Sequence, residues 1–510
     1  MSAVQLSFKR RWQRGVLRVH GYLDGDGADK LLPWSMAIVL FAVLAALSLS
    51  AIYGLEGGSG LGPWIQAGWR RQHGGAGQAV AGIDPSAGTF SLASEPLLLL
   101  GRVLPIATVL AVFQAFVIAA GVVPLWRLAR QEAHLRVGAT ATIALAYALA
   151  PTLHRTNLTS FHPEVIALPA LMSAYLHARR ANWWIYSLMI ALAMSARGDI
   201  ALSVAALGVV VALRTNRRAG LITAGVGFIY AIAAVVIVNP SLPDHALTPS
   251  GEFVARSQGP LAVLPQVLSS PLEQLRLLTA EPSVGFLVVV LAPVLFLPLV
   301  APRRMVVALV GLSLAMIADT AVQEAAQRGV VNLSPAAAHI APAMAMVFVA
   351  LIFALERIGQ VNVTRVNVDR RVLVALACGA ILLFLTESPT SPYRSPWNLA
   401  SRDQTDLARI AGSEEIEPDE VVASSPRVLA LVSERAGLIE LPLVPADLSD
   451  EMISTVSAQV DAVFLDTSGV DSLTKRHFWS RADRSRVVGS FAEAGFEVTY
   501  DEEEVLVLKK

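Results

Sequence analysis

One cysteine, Cys378, is all the chain contains. It excludes an intramolecular disulfide and any Cys-rich zinc site, so cysteine usage carries no information about compartment. Charge is scarce too. Asp, Glu, Lys and Arg make up 16% of the residues, against about 25% in soluble domains. Such a deficit suits a chain dissolved in lipid, where a charge at mid-bilayer costs at least about 2.5 kcal/mol. The 40 basic and 40 acidic residues cancel, which points away from a nucleic-acid partner. Neither a G-x-G-x-x-G turn nor a phosphate-binding loop occurs in the polar C-terminal part, so no nucleotide site of those kinds is expected there. No internal repeat is visible, which argues against the transporters built from repeats. No small-residue cleavage site cleanly follows the first apolar run. That run, starting near Leu31 behind a basic segment, reads as a retained span rather than a removed signal.

What is abundant is apolar: 54% of the residues are hydrophobic. A spanning helix needs about 20 mostly apolar residues. Eleven segments qualify in whole or in part: 31–53, 104–128, 137–153, 163–176, 183–196, 200–213, 220–238, 284–300, 305–317, 336–355 and 372–385. Basic residues test the count, because cytoplasmic loops are enriched in Lys and Arg. The N-terminal segment carries Lys9, Arg10, Arg11, Arg14 and Arg18. Every second connection is then basic: Arg127, Arg130 and Arg136; Arg179 and Arg180; Arg214, Arg217 and Arg218; Arg303 and Arg304; Arg357, Arg365, Arg370 and Arg371. The fold class expected is a polytopic α-helical membrane protein with a small C-terminal soluble α/β domain. Residues 1–30 form a cytoplasmic segment, 31–386 the transmembrane domain and 387–510 an extracytoplasmic domain. The partner throughout is the lipid bilayer, in the plasma membrane.

Three outer regions are expected: 54–101, rich in glycine; a short turn at 154–164; and 239–283, with an amphipathic stretch at 264–278 suited to the interface plane. In the C-terminal domain, strands are expected at 420–424, 438–441, 458–466 and within 497–509. Helices are expected at 426–436 and 475–495.

Ionisable groups at membrane depth usually face a cavity and one another. His154, Arg155, Asn157, His162 and Glu164 fall within eleven residues of one another, and Arg197 and Asp199 flank a second outer turn. The plain alternative is that these pairs only satisfy buried polar groups. His162 and Glu164 could hold a metal with a third ligand, but two ligands at i, i+2 are weak evidence. Glu164 equally suits the first turn of a helix opened by Pro163. Trp64 and Trp69 are most simply interfacial anchors.

The stretch Ser59-Gly60-Leu61-Gly62-Pro63-Trp64-Ile65-Gln66-Ala67-Gly68-Trp69 resembles the first-loop motif of the DUF2079 family, approximately F-D-L-G-x-x-x-Q-x-x-W. Phe161-His162-Pro163-Glu164, Arg197-Gly198-Asp199 and residues 424–441 resemble further family segments, so the likeness runs from about Leu31 to about Asp466. DUF2079 proteins are similar to GT-C glycosyltransferases. The resemblance therefore implies transfer of a sugar from a polyprenyl-phosphate-linked donor at the extracytoplasmic face, with a first-loop acid as base or metal ligand. Gly60 stands where that acid belongs, and glycine can neither accept a proton nor bind a cation through a side chain.

Three readings follow. In the first, Asp84, Glu95 or Asp199 replaces the missing acid as the catalytic carboxylate. Arg71, Arg155 or Arg197 then meets the donor phosphate. Gln66, Trp69, His154, His162 and Glu164 line the substrate site. The cofactor is open, a divalent cation being the candidate. In the second, the chain is a degenerate family member that binds lipid or glycan. In the third, it is a membrane transporter.

Overall fold

The computed structural model describes residues 25–55, 58–74, 80–81, 91–233, 281–318, 337–362, 364–442, 445, 448–469 and 477–510, with four isolated positions between 272 and 279. Asp84 and nearly all of the 239–283 region, including most of the amphipathic stretch, lie outside the described residues.

The chain is mostly helical. In order, α1 is Asp26–Tyr53, α2 Gly58–Gln72, α3 Glu95–Leu100 and α4 Ile106–Glu132. Then come α5 Val137–Ala148, α6 Pro151–Thr159, α7 Ala167–Arg179, α8 Trp183–Ala196, α9 Ile200–Arg214 and α10 Arg217–Ala233. Beyond these, α11 is Glu281–Leu291, α12 Pro302–Ala318, α13 Ala337–Ile358 and α14 Arg370–Glu387. Five helices among the described residues are long and apolar enough to cross a membrane: Gly27–Tyr53, Ile106–Glu132, Val137–Leu158, Ile340–Ile358 and Arg370–Arg394. The 28 residues of α1 reach about 42 Å at 1.5 Å per residue, more than the roughly 30 Å hydrocarbon core. Trp183–Ala196, Ile200–Arg214 and Ser283–Val294 are apolar but shorter.

The centre of the bundle is α13. Residues 340–355 are buried almost to the last atom, which explains why this segment is apolar on every side. Phe348 meets Tyr147 edge-on at 5.1 Å, and Phe353 meets Tyr175 at 5.8 Å. The α9–α10 hairpin packs by a different device. Its backbones touch at Gly208, Gly220 and Gly227; a Cβ on Gly220 would strike the Ala212 backbone, and one on Gly227 would lie 2.7 Å from the Ala201 carbonyl. Small residues at such a contact are how helices gain packing in lipid. Gly220→Ala is therefore expected to lower stability by about 3 kcal/mol. Gly225→Ala, where a Cβ meets nothing within 4 Å, should change it by less than about 1 kcal/mol. Thermal unfolding in detergent checks the pair.

The two ends of the bundle differ. At one end α4, α7 and α13 terminate and α12 begins. There Arg179 and Arg180 bind Glu132, Arg304 bonds the Tyr175 hydroxyl and Arg357 bonds the Val300 carbonyl. A hairpin of β2 (Gln360–Asn362) and β3 (Arg365–Asn367) closes on the same end, Arg365 bonding the Arg130 carbonyl at 2.6 Å. At the other end the C-terminal domain docks. Arg402 stacks 4.0 Å over the Tyr53 ring and donates to the Tyr53 carbonyl at the close of α1.

That domain holds a six-stranded sheet ordered β1-β5-β4-β6-β8-β7. Its strands are β1 (Val80–Ala81), β4 (Val422–Ser424), β5 (Leu438–Glu440), β6 (Ala462–Asp466), β7 (Glu497–Glu502) and β8 (Val505–Lys509). The first four pair in parallel and the last two antiparallel. Helices α15 (Gln404–Glu414), α16 (Asp450–Ser457) and α17 (Arg481–Glu493) cover it. Alternation along β6 sends Val463 and Leu465 to one core, with Phe491, and Phe464 to the other, the period of two that a doubly covered strand requires.

Several local expectations need correction. Residues 426–436 form no helix beyond a 3-10 turn at Leu429–Val432. Ser433 and Arg435 side chains take the Leu429 and Val432 carbonyls and compete with helical bonding. The strand expected over 458–466 starts only at Ala462, where its partner β4 begins; residues 450–457 are helical, capped by Ser449. The turn expected at 154–164 is narrower, because Pro151 opens α6 and the helix carries His154, Arg155 and Asn157. The sheet also takes β1 from the first loop, a strand the sequence does not advertise.

Candidate functional site

Chain chemistry sets the turn between α6 and α7. Pro163 lacks an N–H and pushes the residue before it to extended backbone. His162 duly has φ −120° and ψ 94°, and Pro163–Ile166 then makes a 3-10 turn into α7. The turn is held from below by Gln114, fully buried in the apolar α4. Its amide donates to the Thr156 and Ser160 carbonyls at 2.8 and 2.7 Å, and its oxygen accepts the His162 N–H at 2.6 Å. A lone amide in an otherwise apolar stretch is the sequence signal that marks Gln114. Asn157 ties the same turn to α1, donating to the Leu44 carbonyl and the Ser48 hydroxyl.

Four of the expected residues meet here. His162 Nδ1 lies 3.1 Å from Glu164 Oε1. The Arg197 Nη1 lies 3.5 Å from that same oxygen. Arg197 also forks onto Asp199, with Nε donating to Oδ1 at 2.5 Å and Nη2 to Oδ2 at 2.7 Å. Exposure is 1% for Glu164, 3% for Arg197 and 8% for Asp199. Two carboxylates thus share one guanidinium away from water, with His162 at the edge. A bidentate, charge-assisted pair of this kind is among the stronger polar contacts a protein makes. The Glu164 carboxylate thus lies at ion-pair distance from the His162 imidazole, which favours a proton on Nδ1.

Gly60 borders this cluster. Its carbonyl accepts from Ser160 Oγ at 2.6 Å, two residues from His162. A cavity of about 20 Å³ between Ser48, Gln114, Asn157 and Ser160 has room for about one water. Trp64 packs edge-on against Phe161 at 5.0 Å, so α2 seals the cluster on the side of the C-terminal domain.

The remaining candidates lie around it or apart. Arg71 holds Glu95 with two bonds, at 2.9 and 2.7 Å. The 3-10 turn Leu92–Ser94, just before Glu95, packs on α8. His154 is buried with both ring nitrogens engaged, Nε2 on the Ala148 carbonyl and Nδ1 on the Thr390 hydroxyl, which gives it a bracing role. Arg155 reaches the Glu387 carbonyl at 3.5 Å. Trp69 stacks on His73 at 4.0 Å. Gln66 points the other way, donating at 3.3 Å to the Arg435 carbonyl, so it anchors the C-terminal domain. Arg435 in turn braces that backbone through the Val432, Glu417 and Glu420 carbonyls. Burial pulls its guanidinium below the ordinary range, with Glu420 acting the opposite way.

Among the described residues no three His, Cys, Asp or Glu side chains converge as a metal would need. Asp199 and Glu95 are both occupied by arginine. The residues described therefore do not form a divalent-cation site.

A family model described as "Predicted membrane protein (DUF2079)" matches residues 90–507. No curated protein matches the chain.

Proposed function

Since the chain belongs to the DUF2079 family of predicted membrane proteins, we infer that it acts as a GT-C-like glycosyltransferase. It would move a sugar from a polyprenyl-phosphate carrier to a hydroxyl acceptor at the extracytoplasmic face of the plasma membrane. The observation that carries this reading is the meeting of His162, Glu164, Arg197 and Asp199 beside Gly60, at the end of the bundle where the C-terminal domain docks. The position lacking its carboxylate thus adjoins a histidine held by one. The His162 imidazole takes the proton of the acceptor hydroxyl as its oxygen attacks the anomeric carbon. The carbon–oxygen bond to phosphate breaks, and the lipid phosphate leaves with the electron pair. Glu164 keeps the imidazole oriented and offsets the charge it gains. Arg197 is committed to two carboxylates and Arg71 to Glu95, so Arg155 is the guanidinium proposed to meet the leaving phosphate.

The eleven crossings and the orientation belong to the same proposal. Their support is that Arg130, Arg179, Arg180, Arg304, Arg357 and Arg365 gather at the end opposite the C-terminal domain, as the cytoplasmic side requires. A second reading, a binder of lipid or glycan without turnover, is favoured by one fact: Glu95 and Asp199 are each neutralised by an arginine.

Purified protein given labelled polyprenyl-phosphate sugars and hydroxyl acceptors should form glycosylated product. Retention of the lipid-linked sugar with no product, while a relative is active, would sink the transferase and favour the binder. Orientation is tested in a Cys378→Ser background with Glu497→Cys, on the exposed face of β7. A membrane-impermeant maleimide should label intact spheroplasts; labelling only after lysis would reverse the orientation.

A further inference from the structure

A cavity of about 540 Å³ opens at the arginine-rich end, far from the His162 cluster. It is lined by Asp29, Lys30, Arg130, Gln131, His134, Thr364 and Arg365. Arg130 is buried at its floor, and Lys30, Gln131, His134 and Thr364 are exposed at its rim. The β2–β3 hairpin builds one wall: the Val366 N–H donates to the His134 carbonyl at 2.8 Å, and the Arg365 guanidinium spans from the Arg130 carbonyl toward Asp29. Lys30, Arg130 and Arg365 face a single carboxylate, Asp29. That carboxylate already accepts from Arg130 Nε at 2.7 Å and Trp126 Nε1 at 3.1 Å. Lys30 makes no ion pair among the described residues. Among the described lining residues three cations thus face one carboxylate, in a space large enough for a small ligand.

We propose that this cavity binds the phosphate of an anionic phospholipid headgroup from the leaflet at that end. Guanidinium and ammonium groups that exceed their acids in a concave site select phosphate oxygens. The lipid source follows from what lies next to it. Lys30 heads a stripe on one face of α1, continuing through Leu31, Trp34 and Ile38, which are 67%, 51% and 64% exposed. A headgroup seated on Lys30 lays its acyl chains along that stripe, with Trp34 at the depth where indole rings anchor. The site is independent of any transferase activity, since it uses no residue of the His162 cluster.

The test uses full-length protein in nanodiscs of phosphatidylcholine with increasing phosphatidylglycerol, read by native mass spectrometry and thermal unfolding. Wild type should retain phosphatidylglycerol and be stabilised by it. Lys30→Glu should weaken that affinity about thirtyfold, from a change of two charges near the surface. Arg371→Glu, an exposed residue at the same end with the same change in charge, should weaken it by less than about threefold. Lys30→Gln with Arg365→Gln, leaving the Asp29–Arg130 pair intact, should match Lys30→Glu. Equal losses in Lys30→Glu and Arg371→Glu, or no loss in either, would overturn the proposal. So would stabilisation by millimolar inorganic phosphate, in pure phosphatidylcholine, as large as that from lipid, which would assign the cavity to a soluble anion.

Discussion

Arg197→Ala is expected to destabilise the protein by about 3–5 kcal/mol, the cost of leaving buried charge without its partner. The guanidinium sits between Asp199 and Glu164, and both carboxylates are more than nine-tenths buried. Its removal leaves two anions facing each other in a low-dielectric site, so the loss far exceeds the net worth of the ion pair. A stability of 5–15 kcal/mol is typical, so the variant should express poorly and unfold at markedly lower temperature in detergent. The same argument predicts rescue. Glu164→Gln, Arg197→Met and Asp199→Asn together remove every charge at once and should return most of the lost stability. Thermal unfolding of the single and triple variants decides it. An Arg197→Ala protein as stable as wild type would mean that the cluster is hydrated, contrary to its burial.

His162→Ala should lower sugar transfer about 10²–10⁴-fold, the usual contribution of a positioned general base, with stability changed by less than about 1 kcal/mol. The contrast with Arg197 comes from position. The imidazole lies at the edge of the cluster with 12% of its side chain exposed, and the turn is held through its backbone N–H by Gln114. The alanine variant keeps that bond. Glu164→Gln should show a smaller fall in transfer, because the base remains and only the neighbouring charge that favours its protonated form is lost. Michaelis constants and turnover measured for both variants separate loss of a base from loss of binding. A His162→Ala enzyme with unchanged turnover would remove the imidazole from the chemistry.

Much of this was legible in the residues, because lipid imposes a coarse and repetitive code. Five long apolar helices fall where hydropathy puts them. Of the five basic connections read from the sequence, four contribute arginines, Arg130, Arg179, Arg304, Arg357 and Arg365, to one end of the bundle. The approach of His162 and Glu164 to Arg197 and Asp199 was an inference from the cost of isolated charge at membrane depth. The failures have physical causes too. Val80 and Ala81 carry no strand pattern of their own; partners at Leu438 and Ile439 make the strand. His154 resembles a site residue in a sequence, yet two carbonyl- and hydroxyl-bearing neighbours from α5 and the segment after α14 occupy its ring. Gln66 lies within a motif that suggests a ligand, and only the docked tail reveals its partner. Contacts between distant segments decide all three, and no local period records them.

The edge strand β1 ties the first loop to a stretch of chain that emerges much later. About 360 residues separate Val80 from its partner Leu438. At a synthesis rate of about 5–20 residues per second, roughly 20–70 s pass between their appearances. Throughout that interval the Gln66 amide and the face of α2 around Gly62, which ends against Leu429 and Ser433, wait uncovered while later helices insert. A nascent chain arrested before Leu438 is therefore expected to offer quality-control factors a face of α2 that the finished molecule covers.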